Sequence, residues 1–253
     1  MRVEARLVGH MKVDPNDYLD LEHVKTRDAD YSGRDLLGFC AVGCRFERCR
    51  FDNIRVDDCS FGEGKEMSEY VECNFDRLRT SHASGGFSRF VGCSFRNVDI
   101  RDWFCFNAEF VDCTFTGRLK KCVCNGTVDE EDRPWIGRER NEFRGNDFSG
   151  AELIDVAFRT GIDLEQQRLP NGPDYLYIPD GAAAIQRAKA GLADWMPETE
   201  LRRKAEAIVR VVGQTVDDGQ RQLLLRLPDL YGKPRRFPKE VVDKVIELLK
   251  GAG

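Results

Sequence analysis

Ten cysteines are the residues of this 253-residue chain with the clearest capacity for chemistry. Thiolates bind zinc or form disulfides, and a zinc site usually combines two closely spaced pairs of ligands. Cys122 and Cys124 form the closest pair, but no second pair stands at zinc-ligand spacing, and the chain has only three histidines. We therefore predict no metal, no cofactor and no disulfide framework. Buried cysteine packs as a small apolar side chain, and we favour that role over the minor alternatives of metal binding and redox chemistry.

Three of these cysteines recur in one context every twenty residues. Residues 69–78, 89–98 and 109–118 read EYVECNFDRL, RFVGCSFRNV and EFVDCTFTGR, with an aromatic residue, a valine, a cysteine and a phenylalanine in phase. Across a longer region an apolar residue recurs every five positions, often with a small or apolar residue two positions before it. This period is neither the 3.6 of a helix nor the 2.0 of a flat strand. It indicates a backbone that turns a corner every five residues, so that four corners make a square coil of twenty.

Stacking of such coils at about 4.8 Å places equivalent residues in columns. The spacing predicts roughly six coils, with Phe75, Phe95 and Phe115 in one aromatic column. It also predicts that Cys73, Cys93 and Cys113 lie in a second column, as reduced thiols.

The units CRFERCRFDNI, CSFRNVDIRD, AEFVDCTFTG and NDFSGAELIDVAF resemble the pentapeptide-repeat family over about residues 28–165. The resemblance implies a right-handed quadrilateral parallel β-helix. It says less about function, although some members of the family are rods of duplex-like width that bind type II topoisomerases.

The predicted fold is mainly β: an N-terminal cap segment (1–27), a β-helix (28–165), and a connector with a C-terminal α-helical module (166–253). In the connector, Leu176–Ile178 are expected to cap the last coil. Helix signals follow at four places, with Asp180 as a cap, Pro197 in a first turn, Asp217 or Asp218 as a cap for GQRQLLLRL, and Pro238 as an opening residue.

The repeat loses its phase at residues 62–69 and at residues 125–141, while residues 80–88 keep the count without inward aromatics. Loops on a rigid scaffold often carry binding residues, and a tryptophan among arginines is typical of interaction hot spots. The same tryptophan is equally compatible with a latch folded over the coil. The candidate interaction residues from these loops and from the basic part of the tail are Lys65, Glu66, Met67, Glu130, Glu131, Trp135, Arg138, Arg235 and Arg236.

The sequence contains no nucleophile elbow, phosphate-binding loop or dinucleotide fingerprint, so we predict a non-enzymatic interaction scaffold or adaptor. The alternative is a DNA-mimicking protein that binds gyrase or another type II topoisomerase and inhibits or protects it. Residues 28–165 hold 19 basic and 27 acidic residues, a net charge of −8, which permits mimicry. Mixed outward columns, with Asp76 beneath Arg96, weaken it.

We expect protein partners of unknown identity, with a homodimer through the C-terminal helices as a further candidate and no direct binding of nucleic acid. No run of about 18 apolar residues supports a membrane span. The first residues mix charged and apolar side chains and lack the apolar core of a secretion signal, so we expect a cytoplasmic location.

Overall fold

A computed structural model describes residues 8–14 (as backbone), 17–196, 199–232 and 236–251. The chain forms two compact units, Met1–Ala157 with Glu165–Pro170, and Phe158–Leu164 with Asn171–Gly253. Each unit is described by itself below.

The strands, in chain order, are β1 (Val8–Asp14), β2 (Tyr18–Arg27), β3 (Asp35–Val42), β4 (Arg45–Glu47), β5 (Arg55–Ser60), β6 (Ser68–Val71), β7 (Arg79–Ser84), β8 (Ser88–Val91), β9 (Ser94–Arg101), β10 (Trp103–Cys105), β11 (Glu109–Val111), β12 (Thr114–Lys120), β13 (Val123–Asn125), β14 (Phe143–Arg144), β15 (Asp147–Ile154), β16 (Ala157–Arg159), β17 (Tyr175–Ile178) and β18 (Leu223–Arg226). The helices are α1 (Arg133–Ile136), α2 (Gly181–Ala193), α3 (Glu200–Asp217) and α4 (Lys239–Lys250), with 3-10 turns at Leu164–Gln166 and Leu227–Tyr231.

In the first unit, successive coils stack in parallel register on four faces. Arg89 pairs with Glu69 on one side and with Glu109 on the other, twenty residues away in each direction. The same step relates β3 to β5 and β7 to β9, and isolated bridges such as Asn74 to Ser94 complete the fourth face. This register confirms the predicted parallel β-helix with a square coil of twenty residues.

The aromatic column exists as the spacing predicts. Phe95 is fully buried, and its ring lies nearly parallel to those of Phe75 and Phe115, with centroids 4.7 and 5.0 Å away. Six rings form this column: Tyr31, Phe51, Phe75, Phe95, Phe115 and Phe148. Offset stacks of this kind combine a large buried apolar area with favourable ring geometry, so they hold neighbouring coils together.

The cysteines serve as packing residues. Cys73, Cys93 and Cys113 are buried free thiols, and the Cys93 sulfur lies 3.3 Å from the carbonyl oxygen of Tyr70 in the preceding coil. Burial raises the pKa of the Cys93 thiol well above its ordinary value, so it stays protonated. Among the described residues, no group of three or more cysteine, histidine, aspartate or glutamate side chains is arranged to hold a metal ion.

Two insertions account for the breaks in the repeat. Arg45 pairs with Glu69, 24 residues on instead of 20, so residues 62–69 contain a four-residue bulge. Phe110 pairs with Phe143, 33 residues on, and the additional length lies in residues 125–141. Before residue 28, β2 already pairs in parallel with β3 and β4, and β1 adds an antiparallel strand beside it.

The second unit has a core between three helices and a two-stranded sheet. Buried residues from α2, α3 and α4, among them Ile185, Ile208 and Val245, form one cluster. The predicted caps occur where they are described: the Ala183 amide donates to Asp180 at 2.9 Å, and Pro238 immediately precedes α4. The predicted α-helical region is therefore confirmed.

Two details of this unit differ from the predictions. The segment GQRQLLLRL is not a helix, because α3 continues to Asp217 and Leu223–Arg226 forms β18. Its antiparallel partner is β17, which contains the Leu176–Ile178 segment that we expected to cap the last coil. The predictions at Pro197 and Arg235 lie outside the described residues. Within the described part of the chain, no helix has the length and apolar character needed to cross a membrane.

Candidate interaction site

The first break of the repeat leaves most of its side chains exposed. Lys65 and Glu66 project from the bulge, and the Glu66 carboxylate lies 3.3 Å from Nδ1 of His23. Met67 differs from them because it is partly buried and packs towards Phe87.

The second break folds back over the coil. Val128 and Ile136 are buried with Phe87, and the Trp135 ring meets the Phe87 ring edge to face at a centroid distance of 5.5 Å. The Trp135 indole donates to Asp132 at 3.2 Å. This is the latch arrangement, in which the loop supplies its own apolar cover.

Two predicted acidic contact residues remain at the outer edge of this loop. Glu130 and Glu131 are exposed, and Glu130 lies 4.0 Å from Arg133.

Arg138 ties this loop to the coils through charge. Its guanidinium lies 3.3 Å from Glu109, donates to the carbonyl oxygen of Asn107 at 2.7 Å, and sits 5.1 Å from the centroid of the Phe87 ring. Its side chain is only 19% exposed and that of Glu109 only 7%. Burial lowers the pKa of Arg138, while the Glu109 carboxylate opposes that shift. The geometry gives Arg138 an internal role, and its predicted contact with a partner stays a prediction.

The irregular segments meet in one place. We call Met67, Phe87, Val128, Trp135 and Ile136 the latch cluster. The sequence presents residues 62–69, 80–88 and 125–141 as three separate irregularities, but stacking brings all three to one edge of the β-helix. The approach is close, since a Cβ atom on Gly86 would lie 2.0 Å from the carbonyl oxygen of Gly62.

The basic residues of the tail lie apart from this cluster in sequence. Arg236 is exposed, with its guanidinium 5.7 Å from the Phe237 ring centroid. Arg235 lies outside the described residues.

A different surface of the β-helix has the features of a binding site. We call it the groove face; it consists of residues 18–20, 38–40, 58–60, 82–84 and 102–104, together with Glu63. One outward row contains Asp20, Cys40, Ser60, Ser84 and Phe104, and a parallel row contains Tyr18, Gly38, Asp58 and His82. A groove of about 450 Å³ runs along these rows.

Large and small side chains shape the groove. Tyr18 and Phe104 stand at its two ends, each 43% exposed, while Cys40, Ser60 and Ala83 form a low floor between them. The Tyr18 ring packs directly over Gly38, since a Cβ atom there would lie 2.6 Å from Cδ1 of the ring. Phe106, 41% exposed, lies next to Phe104 with a centroid distance of 5.8 Å.

The groove is acidic. Among the side chains that the structure describes, four carboxylates line it, those of Asp20, Asp58, Glu63 and Asp102, and no lysine or arginine does. Burial, together with the charges of Glu63 and Asp20, raises the pKa of the Cys40 thiol to about 11. The thiol on the floor therefore stays neutral at physiological pH.

These carboxylates differ in their partners. Asp102 lies 3.6 Å from Lys121, and Lys12 stands opposite Asp20 in the β1–β2 pair. Asp58 lies 3.7 Å from His82, and Glu63 accepts a hydrogen bond from Ser60 at 2.9 Å. Among the side chains that the structure describes, Asp58 and Glu63 form no ion pair with a lysine or arginine.

On other surfaces, carboxylates are paired with arginines. Arg27 bonds to Glu47, Arg48 to Asp28, and Arg50 to Asp30, in each case between adjacent coils. The groove face therefore combines exposed aromatic side chains with two carboxylates, those of Asp58 and Glu63, that pair with no lysine or arginine among the described side chains.

The register of twenty residues, the four faces and the inward residue at every fifth position together decide the architecture. The chain is a four-faced parallel β-helix with coils of twenty residues. No protein-family profile matches the chain, and no curated protein matches it by sequence.

Several solved structures resemble this β-helix. A trypsin-treated variant of QnrB1, described as a plasmid-mediated fluoroquinolone resistance protein, is 23% identical over 58% of this chain and 68% of its own, with a TM-score of 0.30. Full-length QnrB1 is 18% identical over 61% and 78% of the two chains, with a TM-score of 0.25. HetL, a pentapeptide-repeat protein from the cyanobacterium Nostoc sp. involved in regulating heterocyst differentiation, is 11% identical over 62% and 91%, with a TM-score of 0.18. Since these scores are all below 0.5, the assignment of the fold rests on the register of the coils.

Sequence reasoning did not find the groove of this β-helix. One signal was present: the segment WFCF places Trp103 and Cys105 inward and two phenylalanines outward, where most outward positions of the repeat are polar. Tyr18 gave no such signal, because it becomes part of the groove only when coils twenty residues apart are stacked.

Proposed function

We propose that this chain is a protein-interaction scaffold whose partner docks on the groove face. The observation that carries the proposal is the exposure of Tyr18, Phe104 and Phe106 on the β-helix, beside Asp58 and Glu63, which pair with no lysine or arginine among the described side chains. Tyrosine and other aromatic residues concentrate at interfaces because a rigid ring buries a large area at little entropic cost. Exposed aromatic groups that gather on one surface favour an interaction site.

The β-helix gives such a site a rigid support. Phe39 and Cys59 on the groove face point inward and are buried, and Trp103 packs against Phe61, Phe90 and Phe95. Because the core behind the groove is fully packed, its outward side chains are held in place before a partner arrives. Such preorganisation lowers the ordering cost of binding.

A DNA-mimicking inhibitor or protector of a topoisomerase is the second candidate, favoured by the net charge of −8 over residues 28–165. Duplex DNA presents one charge per about 1.7 Å of axis, without interruption. The ion pairs of Arg27, Arg48 and Arg50 interrupt the negative charge on other surfaces. We therefore rank this candidate below the scaffold. Gyrase supercoiling with and without a fluoroquinolone tests it, and we expect neither inhibition nor protection.

The scaffold proposal is tested by affinity capture with the full chain, followed by measured binding of the purified partner. We expect the double variant Phe104→Ala/Phe106→Ala to lose the partner. Leu37→Ala is the matched control, because Leu37 is an exposed apolar residue that does not line the groove. A partner that binds both variants as tightly as it binds the unmodified chain would refute the proposal, as would the absence of any partner.

The predicted role of the loops needs a separate variant. Deleting residues 125–141 would uncover Phe87, so lost binding would not distinguish a contact from a packing defect. Glu130→Lys/Glu131→Lys reverses two exposed charges and leaves the latch cluster intact. Unchanged binding by this variant would count against the loop as a contact surface.

A further inference from the structure

We infer that the groove binds an extended segment of a partner protein that carries lysine or arginine side chains. This inference rests on the proposed function and adds the chemistry of the partner. The cationic head would lie between Asp58 and Glu63, and neighbouring apolar atoms would pack against Tyr18 and Phe104.

Charge complementarity is the first argument. Asp58 is 80% exposed, and Glu63 is exposed close to the groove floor. Neither carboxylate has a lysine or arginine partner among the described side chains, whereas arginines pair with acidic residues on neighbouring surfaces. Since Asp20 lies opposite Lys12 in the β1–β2 register, we place the cationic head at Asp58 and Glu63.

The aromatic ends supply the second argument. A lysine or arginine combines a charged head with an apolar stem, and the stem packs on apolar surface while the head remains in water. A cation over an aromatic face gains further attraction from the ring. Tyr18 and Phe104 provide such rings within the same groove that holds the carboxylates, so these side chains fit better than a small inorganic cation.

The dimensions favour an extended segment. The rows from Tyr18 to Phe104 cross five coils, which at about 4.8 Å per step gives a length of about 19 Å. An extended chain rises about 3.3 Å per residue, so about six residues span the groove. The groove of about 450 Å³ has room for a few side chains of such a segment.

Nucleic acid is the least suitable occupant, because its phosphates would face unpaired carboxylates. A second copy of this chain is the main competitor, since residues 166–253 hold 15 basic and 12 acidic residues. The test therefore includes the oligomeric state of the chain.

The probe is a fluorescein-labelled peptide of alternating lysine and valine, about six residues long, with binding to the full chain followed by fluorescence anisotropy. Valine favours the extended conformation. We expect saturable binding, and no binding of the matching peptide of alternating glutamate and valine. Raising the salt from about 50 mM to about 500 mM should weaken the binding, because exposed charges are then screened.

Two variants with the same change in net charge make the test specific to the groove. Asp58→Asn/Glu63→Gln should weaken binding of the lysine peptide about tenfold. Glu72→Gln/Asp174→Asn removes two exposed charges that do not line the groove and should bind as the unmodified chain does. Equal weakening in both variants would overturn the inference, because it would show attraction to net charge alone. Absence of peptide binding would overturn it as well.

The outcomes separate this inference from the proposed function. If the captured partner depends on Phe104 and Phe106 but the lysine peptide does not bind, the scaffold proposal stands and the cationic segment is wrong. If the captured partner binds the Phe104→Ala/Phe106→Ala variant as tightly as the unmodified chain, the scaffold proposal is refuted. Sedimentation of the full chain tests whether a second copy of the chain occupies the groove. A dimer that dissociates in Asp58→Asn/Glu63→Gln would assign the groove to that second copy and overturn the inference.

Discussion

Replacement of Phe95 by alanine tests whether the aromatic column stabilises the coils. The ring is fully buried and stacks between Phe75 and Phe115. Burial of a phenylalanine contributes about 2–3 kcal/mol, and two ring stacks add about 1 kcal/mol each. We expect a loss of about 4 kcal/mol in the free energy of unfolding, within the usual range for phenylalanine to alanine in a core.

Phe104 provides a matched control, because it belongs to the same coil and the same substitution changes the unfolded chain equally. Its ring is 43% exposed and leaves no closed cavity when removed, so Phe104→Ala should cost about 1 kcal/mol. Urea unfolding followed by far-ultraviolet circular dichroism measures both. At an m-value of about 2 kcal/mol/M, the midpoints should fall by about 2 M and about 0.5 M. Equal shifts would refute the column as the source of stability, and Phe95→Leu should fall between them.

Three further predictions follow from charge and burial. Arg138→Met leaves Glu109 with one arginine fewer, and we expect a loss of about 2–3 kcal/mol, measured as faster amide hydrogen exchange in residues 125–141. Hydrogen bonds from Arg89 and Arg144 lower the pKa of Glu142 in the folded state, so its contribution to stability is present above about pH 4.3 and is lost as the pH falls through the lowered value. The urea midpoint should therefore fall more steeply below about pH 4.3 in the unmodified chain than in Glu142→Gln. For the thiols, we expect the native protein to react with a thiol reagent only at the partly exposed Cys40 and Cys124, slowly at Cys40 because its pKa is raised to about 11, and all ten cysteines to react in denaturant.

Each of these predictions has a result that contradicts it. Arg118→Met removes an exposed ion pair on another surface and should change amide exchange in residues 125–141 very little. If this variant accelerated that exchange as much as Arg138→Met does, Arg138 would have no special role in holding the loop. Parallel pH profiles for the unmodified chain and Glu142→Gln would show that this carboxylate does not stabilise the folded state. Rapid reaction of a third thiol in the native protein would mean that the cysteine columns open to solvent.

The core was predictable from sequence because inward positions obey a local rule. A backbone that turns every five residues must point the same phase inward in every coil, so the period alone placed Phe95 and Cys93 in the core. The conformation of the corner residues was harder to predict from the sequence. Many corners use non-glycine residues in the left-handed backbone region, such as Glu72 with φ 54° and Asn97 with φ 56°. Few residue types predict that conformation from the sequence.

The segment around Leu223 shows why local rules failed elsewhere. Three consecutive leucines after a possible cap fit a helix, yet β18 forms because β17, about 45 residues earlier, supplies the hydrogen-bonding partner. The position of Trp103 also depends on a residue distant in sequence. It lies beside Ala83 of the preceding coil and occupies core space that the small residues of 80–88 leave open.

By itself, the sequence determined the coil, the inward columns, the places where the repeat is interrupted and the three helices, because each depends on spacing along the chain. Only the tertiary structure decided what the outward residues do. It turned Trp135 and Arg138 inward to secure a loop, because Phe87 and Glu109 offer them an apolar surface and a buried carboxylate. It also assembled the groove face from residues about twenty positions apart, since an outward side chain acquires its neighbours only when the coils are stacked.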